Sequence, residues 1–211
     1  MGKKKKWYVV WEGKKPGVYD NWKDCEAQVK GLKGTKYKSF GSKEAAEKAY
    51  GEHFSEHYGK KDFEPSLSAE ELKKIGDPIR ISISVDGAGD NQKGTVEYRG
   101  VFTETETEVF RAGPFSDGTN NLAEFLALVH ALAWCKKNKI DYPIYSDSRT
   151  AMSWVRRKEC RSKKPRTSKN REIYDLVDRA IAWLKNNRYQ NQILKWETKA
   201  WGEIPADYGR K

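Results

Sequence analysis

Four acids in this 211-residue chain stand where a purely structural protein has little reason to put them. Asp86 directly follows an alternating stretch and precedes Gly87-Ala-Gly89, where the chain can turn sharply and leave a carboxylate at a sheet's end. Asp147 repeats the arrangement after Tyr142 to Tyr145. Glu124 lies in Leu-Ala-Glu-Phe-Leu-Ala-Leu, with Ala127, Leu128 and Ala131 as its i+3, i+4 and i+7 neighbours. A carboxylate on so apolar a helix face needs a partner, because an unpaired buried charge is strongly destabilising. Asp207, in Ile-Pro-Ala-Asp-Tyr, follows the last expected strand. Taken singly, each acid has a plainer use as a cap, a turn residue or a surface ion pair, and for Asp147 and Asp207 that use is the better account. Converging, they would repel one another unless cations intervene. Oxygen-only ligation favours Mg²⁺ or Mn²⁺, and two such ions roughly 4 Å apart can clamp the attacking and leaving oxygens of a phosphodiester.

Convergence requires elements that bring the acids to one place. If the strands before Asp86 and Asp147 are parallel neighbours, both carboxylates project from the same sheet end, where α/β sheets place their sites. Ile79, Ile81, Ile83 and Val85 alternate with Arg80, Ser82 and Ser84, which predicts a strand over 79–85. Strand-like stretches follow over 95–102 and 107–112, then a long helix from Thr119-Asn-Asn121 through Trp134. A strand over 142–145 leads through Ser146-Asp-Ser148 into a helix reaching Trp154. Ile173, Leu176, Val177, Ala180, Ile181 and Leu184 mark the face of another helix, and a final strand is expected over 192–198. Three strands followed by alternating helix and strand describe an α/β mixed sheet with helices packed on it.

Ahead of this unit, residues 1–58 read as a smaller one and 59–78 as a polar linker in which Ser68-Ala-Glu-Glu71 can cap a short helix. Within 1–58, Lys6 to Trp11 and Tyr37 to Phe40 are strand-like. Asn21 and Ser42 stand at the N-cap positions of two helices, over 22–30 and 43–50.

The chain carries 41 Lys+Arg against 30 Asp+Glu, a formal net charge of +11, and 15 Lys+Arg against 10 Asp+Glu fall in residues 1–65. With 37% hydrophobic and 12% aromatic residues it is too apolar for a disordered polybasic chain, so the surplus sits on folded surfaces. Eight Trp and 11 Tyr beside those bases suit phosphate neutralisation and stacking on sugars or bases, although solubility alone also accounts for surface charge. No apolar run is long enough to span a membrane, and no apolar stretch follows the Lys3 to Lys6 run as in a leader. Cys25, Cys135 and Cys160 are too few and too scattered for a disulfide framework or a zinc site. The expectation is a soluble cytoplasmic monomer with free thiols.

Residues 79–211 resemble a type 1 ribonuclease H. The matching pieces are Val85-Asp-Gly87, Asn120-Asn-Leu-Ala-Glu124, Tyr145-Ser-Asp-Ser148 and the tail from Lys199 through Trp201-Gly-Glu203 and Asp207 to Lys211, in the family's order. The resemblance implies a ribonuclease H-like mixed five-stranded sheet with flanking helices. It further implies that Asp86, Glu124, Asp147 and Asp207 hold two Mg²⁺ ions, with Asp86 bridging both and Mn²⁺ as a substitute. The implied reaction is sequence-independent endonucleolytic hydrolysis of the RNA strand of an RNA/DNA hybrid by a metal-activated water, leaving 5′-phosphate and 3′-hydroxyl ends. Many members carry a histidine in the loop before the last aspartate, whereas residues 198–206 have none. Trp201-Gly-Glu203 matches a subgroup in which a glutamate assists metal coordination and product release, which makes Glu203 an auxiliary catalytic residue. His53, His57 and His130 are then structural or surface residues. By the same resemblance Trp154 contacts a DNA sugar, Thr119, Asn121 and Ser162 bind a DNA-strand phosphate, and Asn120 and Arg149 lie along the minor groove. Glu124 also accepts a hydrogen bond from a ribose 2′-hydroxyl. The run Arg156 to Arg171, with nine Lys+Arg and one acid, suits the same ligand or a solvated charged turn.

Trp7 to Tyr50 resembles the hybrid-binding domain found before some ribonucleases H and in a viral inclusion-body protein. The matches are Trp7-Tyr-Val-Val, Gly17-Val-Tyr, Trp22-Lys-Asp-Cys-Glu-Ala-Gln-Val29 and Tyr37-Lys-Ser-Phe40. They imply a small α+β three-stranded domain whose Tyr8, Trp22, Tyr37 and Lys38 line a face for RNA/DNA hybrid and also duplex RNA. Members carry a second Lys where Ser39 stands, which implies weaker binding here. The residues alone leave open that Tyr8 and Trp22 are core aromatics. They also leave open a non-catalytic hybrid-binding protein, against which all four acids and Glu203 speak. A related exonuclease with Asp-x-Glu on its first strand is the third alternative, and Asp86-Gly-Ala88 lacks that second acid.

Overall fold

The computed structural model describes residues 6–32, 34–54, 57, 63, 65, 67–90 and 92–209. Most of the Lys3 to Lys6 run, the opening of the expected linker and the last two residues of the tail motif lie outside them. The chain divides into two compact units, Met1–Glu64 and Pro65–Lys211.

The first unit is a three-stranded antiparallel sheet ordered β2-β1-β3 with two helices. Strand β1 (Trp7–Glu12) pairs with β2 (Gly17–Tyr19) on one side and β3 (Lys36–Phe40) on the other. Helix α1 (Trp22–Val29) is capped by the Asn21 side chain and α2 (Lys43–Tyr50) by Ser42, as their residue types predict. Because side chains alternate across a strand, β1 serves two cores. Val9 joins Phe40, Ala46 and Ala49 beneath α2, while Val10 joins Cys25 and Val29 beneath α1.

The second unit opens with α3 (Ala69–Ile75), closed by the Ser68/Glu71 capping box legible in the sequence. Its sheet has five strands in the order β6-β5-β4-β7-β8. Strands β4 (Ile83–Asp90), β5 (Thr95–Phe102) and β6 (Glu108–Ser116) form an antiparallel meander. Strands β7 (Ile144–Ser146) and β8 (Ile193–Lys195) then add in parallel beside β4. Helix α4 (Asn120–Asn138) packs across β4 and β5, with α5 (Arg149–Arg157) and α6 (Arg171–Asn186) on either side of it. Leu122, Phe125, Leu128, Leu132, Ile83, Val85, Ile144 and Ile173 fill this core. A second cluster, Tyr145, Trp196 and Ile204, sits under the short helix α7 (Thr198–Trp201) and the segment after it. The mixed five-stranded sheet with flanking helices, preceded by a three-stranded α+β unit, is the architecture expected from the sequence.

Two expectations about elements need correcting. The first strand of the large sheet begins at Ile83, not Ile79, and Ile79 and Ile81 are exposed by 45% and 63%. Here the alternation extends beyond the partners, since β5 and β7 reach only as far as Ile83. The last strand is Ile193–Lys195 alone, and Thr198 opens α7 instead.

Candidate active site

Asp86 does not sit at a turn. It lies within β4, which runs on to Asp90 through both glycines. Those glycines admit α4. A Cβ at Gly87 would fall 2.5 Å from the Glu124 backbone nitrogen and 2.7 Å from Ala123, and one at Gly89 would fall 2.6 Å from the Asn120 Oδ1. The helix therefore rests on bare backbone at the level where Glu124 emerges. On the other side, the parallel pairing sets Ile83 beside Ile144 and Ser84 beside Tyr145. Carried two residues on, that register brings Asp86 level with Asp147, which directly follows β7.

One carboxylate oxygen from each of Asp86, Glu124 and Asp147 lies within 4.8 Å of the others. Burial and mutual repulsion act on all three. Burial pushes the Asp86 carboxyl up to about 7, with Asp147 adding to the rise, the Gly87 N–H opposing it, and Asp207 and Glu124 adding further. Glu124 is raised by burial, against a hydrogen bond from the Ser148 hydroxyl, and Asp147 raises it again. Asp147 is raised by burial, held back by Lys195 and its own N–H, and pushed up by Asp207 and Glu203. The Oε2 of Glu124 is buried and has no hydrogen-bond partner among the described residues. An orphaned buried carboxylate oxygen facing two more acids is the donor set of a hard divalent cation.

Asp207 and Glu203 stand outside this triad. Both belong to the segment after α7 and act on it through space. The Asp207 carboxylate accepts the Gly209 N–H at 2.8 Å. Glu203 is exposed.

The residues expected along a nucleic-acid surface are used unevenly. Thr119 caps α4 by accepting the Leu122 N–H, and Asn120, Asn121 and Arg149 are exposed in the first turns of α4 and α5. The Ser162 hydroxyl pairs with that of Tyr174 at 3.2 Å and accepts the Lys164 N–H. Trp154 is turned largely inward. It is 7% exposed and packs edge-on against Phe125 at 6.0 Å, because Ala151, Trp154 and Val155 form the face that α5 turns to the core. Five bases of the Arg156 to Arg171 run have acidic partners: Arg157 and Arg161 with Glu159, Lys164 with Asp117, Arg166 with Asp178 and Arg171 with Asp175. Arg156, Lys158 and Lys163 form no ion pair among the described residues, and Lys169 acts on Asp117 through space.

In the first unit Trp22 lies 5.5 Å from the Tyr8 ring and 5.9 Å from Tyr37. Trp22 and Tyr37 are exposed by 43% and 39%, so Trp22 is no core aromatic. Lys38 does not join them. It pairs across from Val9 on the opposite face of β3, where its Nζ donates to the His57 carbonyl at 2.9 Å. Ser39, opposite Tyr8, is its neighbour on the aromatic face.

Three residues that matter to the site escaped sequence reasoning. Lys195 supplies the positive charge nearest in effect to Asp147. Asn170, 1% exposed, donates to Asp117 and to the Pro165 carbonyl, tying the basic loop to the turn before α4. Arg99 holds the Asp207 segment by its backbone. Nothing in the residue types or spacing around Arg99 and Lys195 marked a function. His130 stacks on Phe110 at 4.0 Å, and His57 lies over Trp11 and contacts Glu52.

Among the described residues no helix is long and apolar enough to cross a membrane. The family model for the ribonuclease H1 N-terminal domain matches residues 6–50, and that for RNase H matches residues 79–198. A curated ribonuclease H of Schizosaccharomyces pombe is 25% identical over 98% of this chain and 96% of its own length. One of Saccharomyces cerevisiae is 28% identical over 62% of this chain and 41% of its own. Among solved structures, RNase H1 of Halobacterium salinarum is 21% identical, covering 56% of this chain and 85% of that one, with a TM-score of 0.37. With the RNase H model spanning more than half of its residues, the chain belongs to the ribonuclease H family of hydrolases and carries a ribonuclease H1 N-terminal domain ahead of its catalytic unit.

Proposed function

We propose that the protein is an endonuclease that hydrolyses the RNA strand of RNA/DNA hybrids without sequence preference, leaving 5′-phosphate and 3′-hydroxyl ends. The observation that carries this reading is the carboxylate triad Asp86, Glu124 and Asp147 with its orphaned Glu124 oxygen. Asp86, Glu124 and Asp147, joined by Asp207, would hold two Mg²⁺ ions, with Mn²⁺ as a substitute, and Glu203 assists from the exposed side. When bound, such ions supply a nucleophilic water at neutral pH and neutralise the charge that builds on a phosphodiester.

The protein's own groups position the substrate. Thr119, Asn120, Asn121 and Arg149 at the starts of α4 and α5, with Ser162 in the basic loop, meet the hybrid's backbone and minor groove. Glu124 accepts a ribose 2′-hydroxyl, which gives the RNA strand its preference. Contacts of this kind set register and carry no sequence code. The N-terminal unit, residues 1–58 ahead of the 59–78 linker and the 79–211 catalytic unit, holds the same hybrid, and duplex RNA less well. Its Tyr8, Trp22 and Tyr37 stack on sugars.

The deciding experiment compares Mg²⁺-dependent cleavage of a labelled hybrid with that of matched duplex DNA and duplex RNA. Cleavage confined to the RNA strand of the hybrid is expected. Equal cleavage of all three would sink the hybrid preference, and undiminished activity in Asp147→Asn would remove the carboxylate assignment.

A further inference from the structure

Asp207 lies in no helix or strand. Its N–H closes a turn onto the Ile204 carbonyl at 2.7 Å, and Ile204 is anchored in the Tyr145–Trp196 cluster. Among the described residues, one side chain hydrogen-bonds the far side of that turn to the sheet. Arg99 Nε donates to the Ala206 carbonyl at 2.9 Å and its Nη2 to the Asp207 carbonyl at 2.7 Å. The same guanidinium lies 4.8 Å from the centre of the Tyr208 ring, and that of Arg111 lies 5.5 Å from it. Arg111 is itself fixed by Glu108 and Glu97.

The strand register places this strap. Asp86 pairs across from Arg99 and Arg99 from Arg111, so the three project from one face of β4, β5 and β6 as a row. An arginine directly across from a buried aspartate is ordinarily its counter-ion. Here no ion pair joins Arg99 to a carboxylate among the described residues, and its hydrogen bonds go to the tail backbone. A guanidinium offers a rigid planar fork that fixes two successive carbonyls in one geometry, whereas the donors of a lysine ammonium rotate about a flexible stem and set no such geometry.

We propose that Arg99 is a positioning residue: it straps the 206–208 backbone to β5 beside Asp86 and so sets where the Asp207 carboxylate stands relative to the Asp86–Glu124–Asp147 triad. This inference rests on the reading of Asp207 as a metal-binding carboxylate. Arg99 is not placed in contact with substrate or metal.

The test uses the full chain as wild type, Arg99→Lys, Arg99→Met, Asp207→Asn and the double variant Arg99→Lys/Asp207→Asn. In metal-free protein, Arg99→Lys is expected to speed amide hydrogen exchange of residues 207–209 about tenfold or more, with exchange in β5 and the melting temperature unchanged. Retaining the charge without the fork should rescue no more than Arg99→Met does. In cleavage assays the half-saturating Mg²⁺ concentration should rise about tenfold while KM for the hybrid stays put, as for other residues that orient a ligand. In the Asp207→Asn background, Arg99→Lys should have no further effect. Unchanged exchange at 207–209 overturns the strap, as does an additive loss in the double variant or a raised KM, which would make Arg99 a substrate contact. Full activity in Asp207→Asn would instead remove Asp207 from the metal site, a separate failure from that of the strap, which the exchange rates read on their own.

Discussion

A carboxyl group held near pH 7 by burial and neighbouring acids makes the stability of the metal-free protein depend on pH. Asp86 is raised from an ordinary 3.8 to about 7 in the folded chain. The folded state therefore binds this proton more tightly than the unfolded state does. The resulting stability is complete below about pH 4 and is lost as pH rises through 7. Three pH units at about 1.4 kcal/mol each set a ceiling of roughly 4 kcal/mol. Melting in a chelator should therefore fall between pH 5 and pH 8, and Mg²⁺ should restore more at pH 8 than at pH 5. An Asp86→Asn variant should flatten both trends; a slope unchanged in that variant would show that other groups set it. At the catalytic step, losing one ligand forfeits several kcal/mol of charge stabilisation, so Asp147→Asn should lower kcat by roughly 10² to 10³. These acids were legible because a carboxylate after a strand or on an apolar helix face contradicts its surroundings. Lys195, Asn170 and Arg99 contradict nothing locally, since each is an ordinary residue in its own element and gains its role only from what the fold sets opposite. Lys38 and Trp154 show the converse. Their types suit nucleic acid, but β3 turns the first toward α2 and α5 turns the second into the core.

Elements place these side chains by how closely they approach one another. The sequence marked β4 by its alternation and α4 by its cap and apolar length, and both formed. The strand was nevertheless expected to end where Asp86 begins, because Gly87 and Gly89 read as a turn. In the structure the glycines are the contact surface for α4, a reading that depends on knowing which helix lies above them. Gly87→Ala should therefore push α4 away and lower stability by roughly 1–3 kcal/mol in urea melts. Since α4 carries Glu124, the same variant should also raise the Mg²⁺ requirement. If both stayed at wild-type values, the glycine would owe its presence to something other than helix approach. Trp154→Ala separates two other readings. A core tryptophan against Phe125 should lose roughly 3–5 kcal/mol of stability, whereas a surface sugar contact would lose hybrid affinity with the melt unchanged. Short elements were the least legible: β2 has three residues and β8 three, too few for a period to emerge.

Across the whole molecule, the net charge of +11 is shared between two units with separate cores, which makes them separable in experiment. If both grip one hybrid, joining them converts the second binding event into an intramolecular one, and the chain binds more tightly than either unit alone. Removing residues 1–58 should then weaken hybrid binding by about tenfold or more while leaving kcat at saturating substrate in place. For every phosphate that the first unit neutralises, its removal should also make the fall of log K with log salt shallower by about 0.9. Trp22→Ala in the full chain tests the same surface without removing it. At 43% exposure the ring contributes little to the core, so the melt should not move, while the missing stack on one sugar or base should cost roughly 1–3 kcal/mol of hybrid affinity. Adding the separate first unit back to the shortened chain at equal concentration should not restore the affinity, because the gain lies in the linkage. Full restoration in trans, or an affinity indifferent to both the deletion and Trp22→Ala, would leave the aromatic face without a part in holding the hybrid.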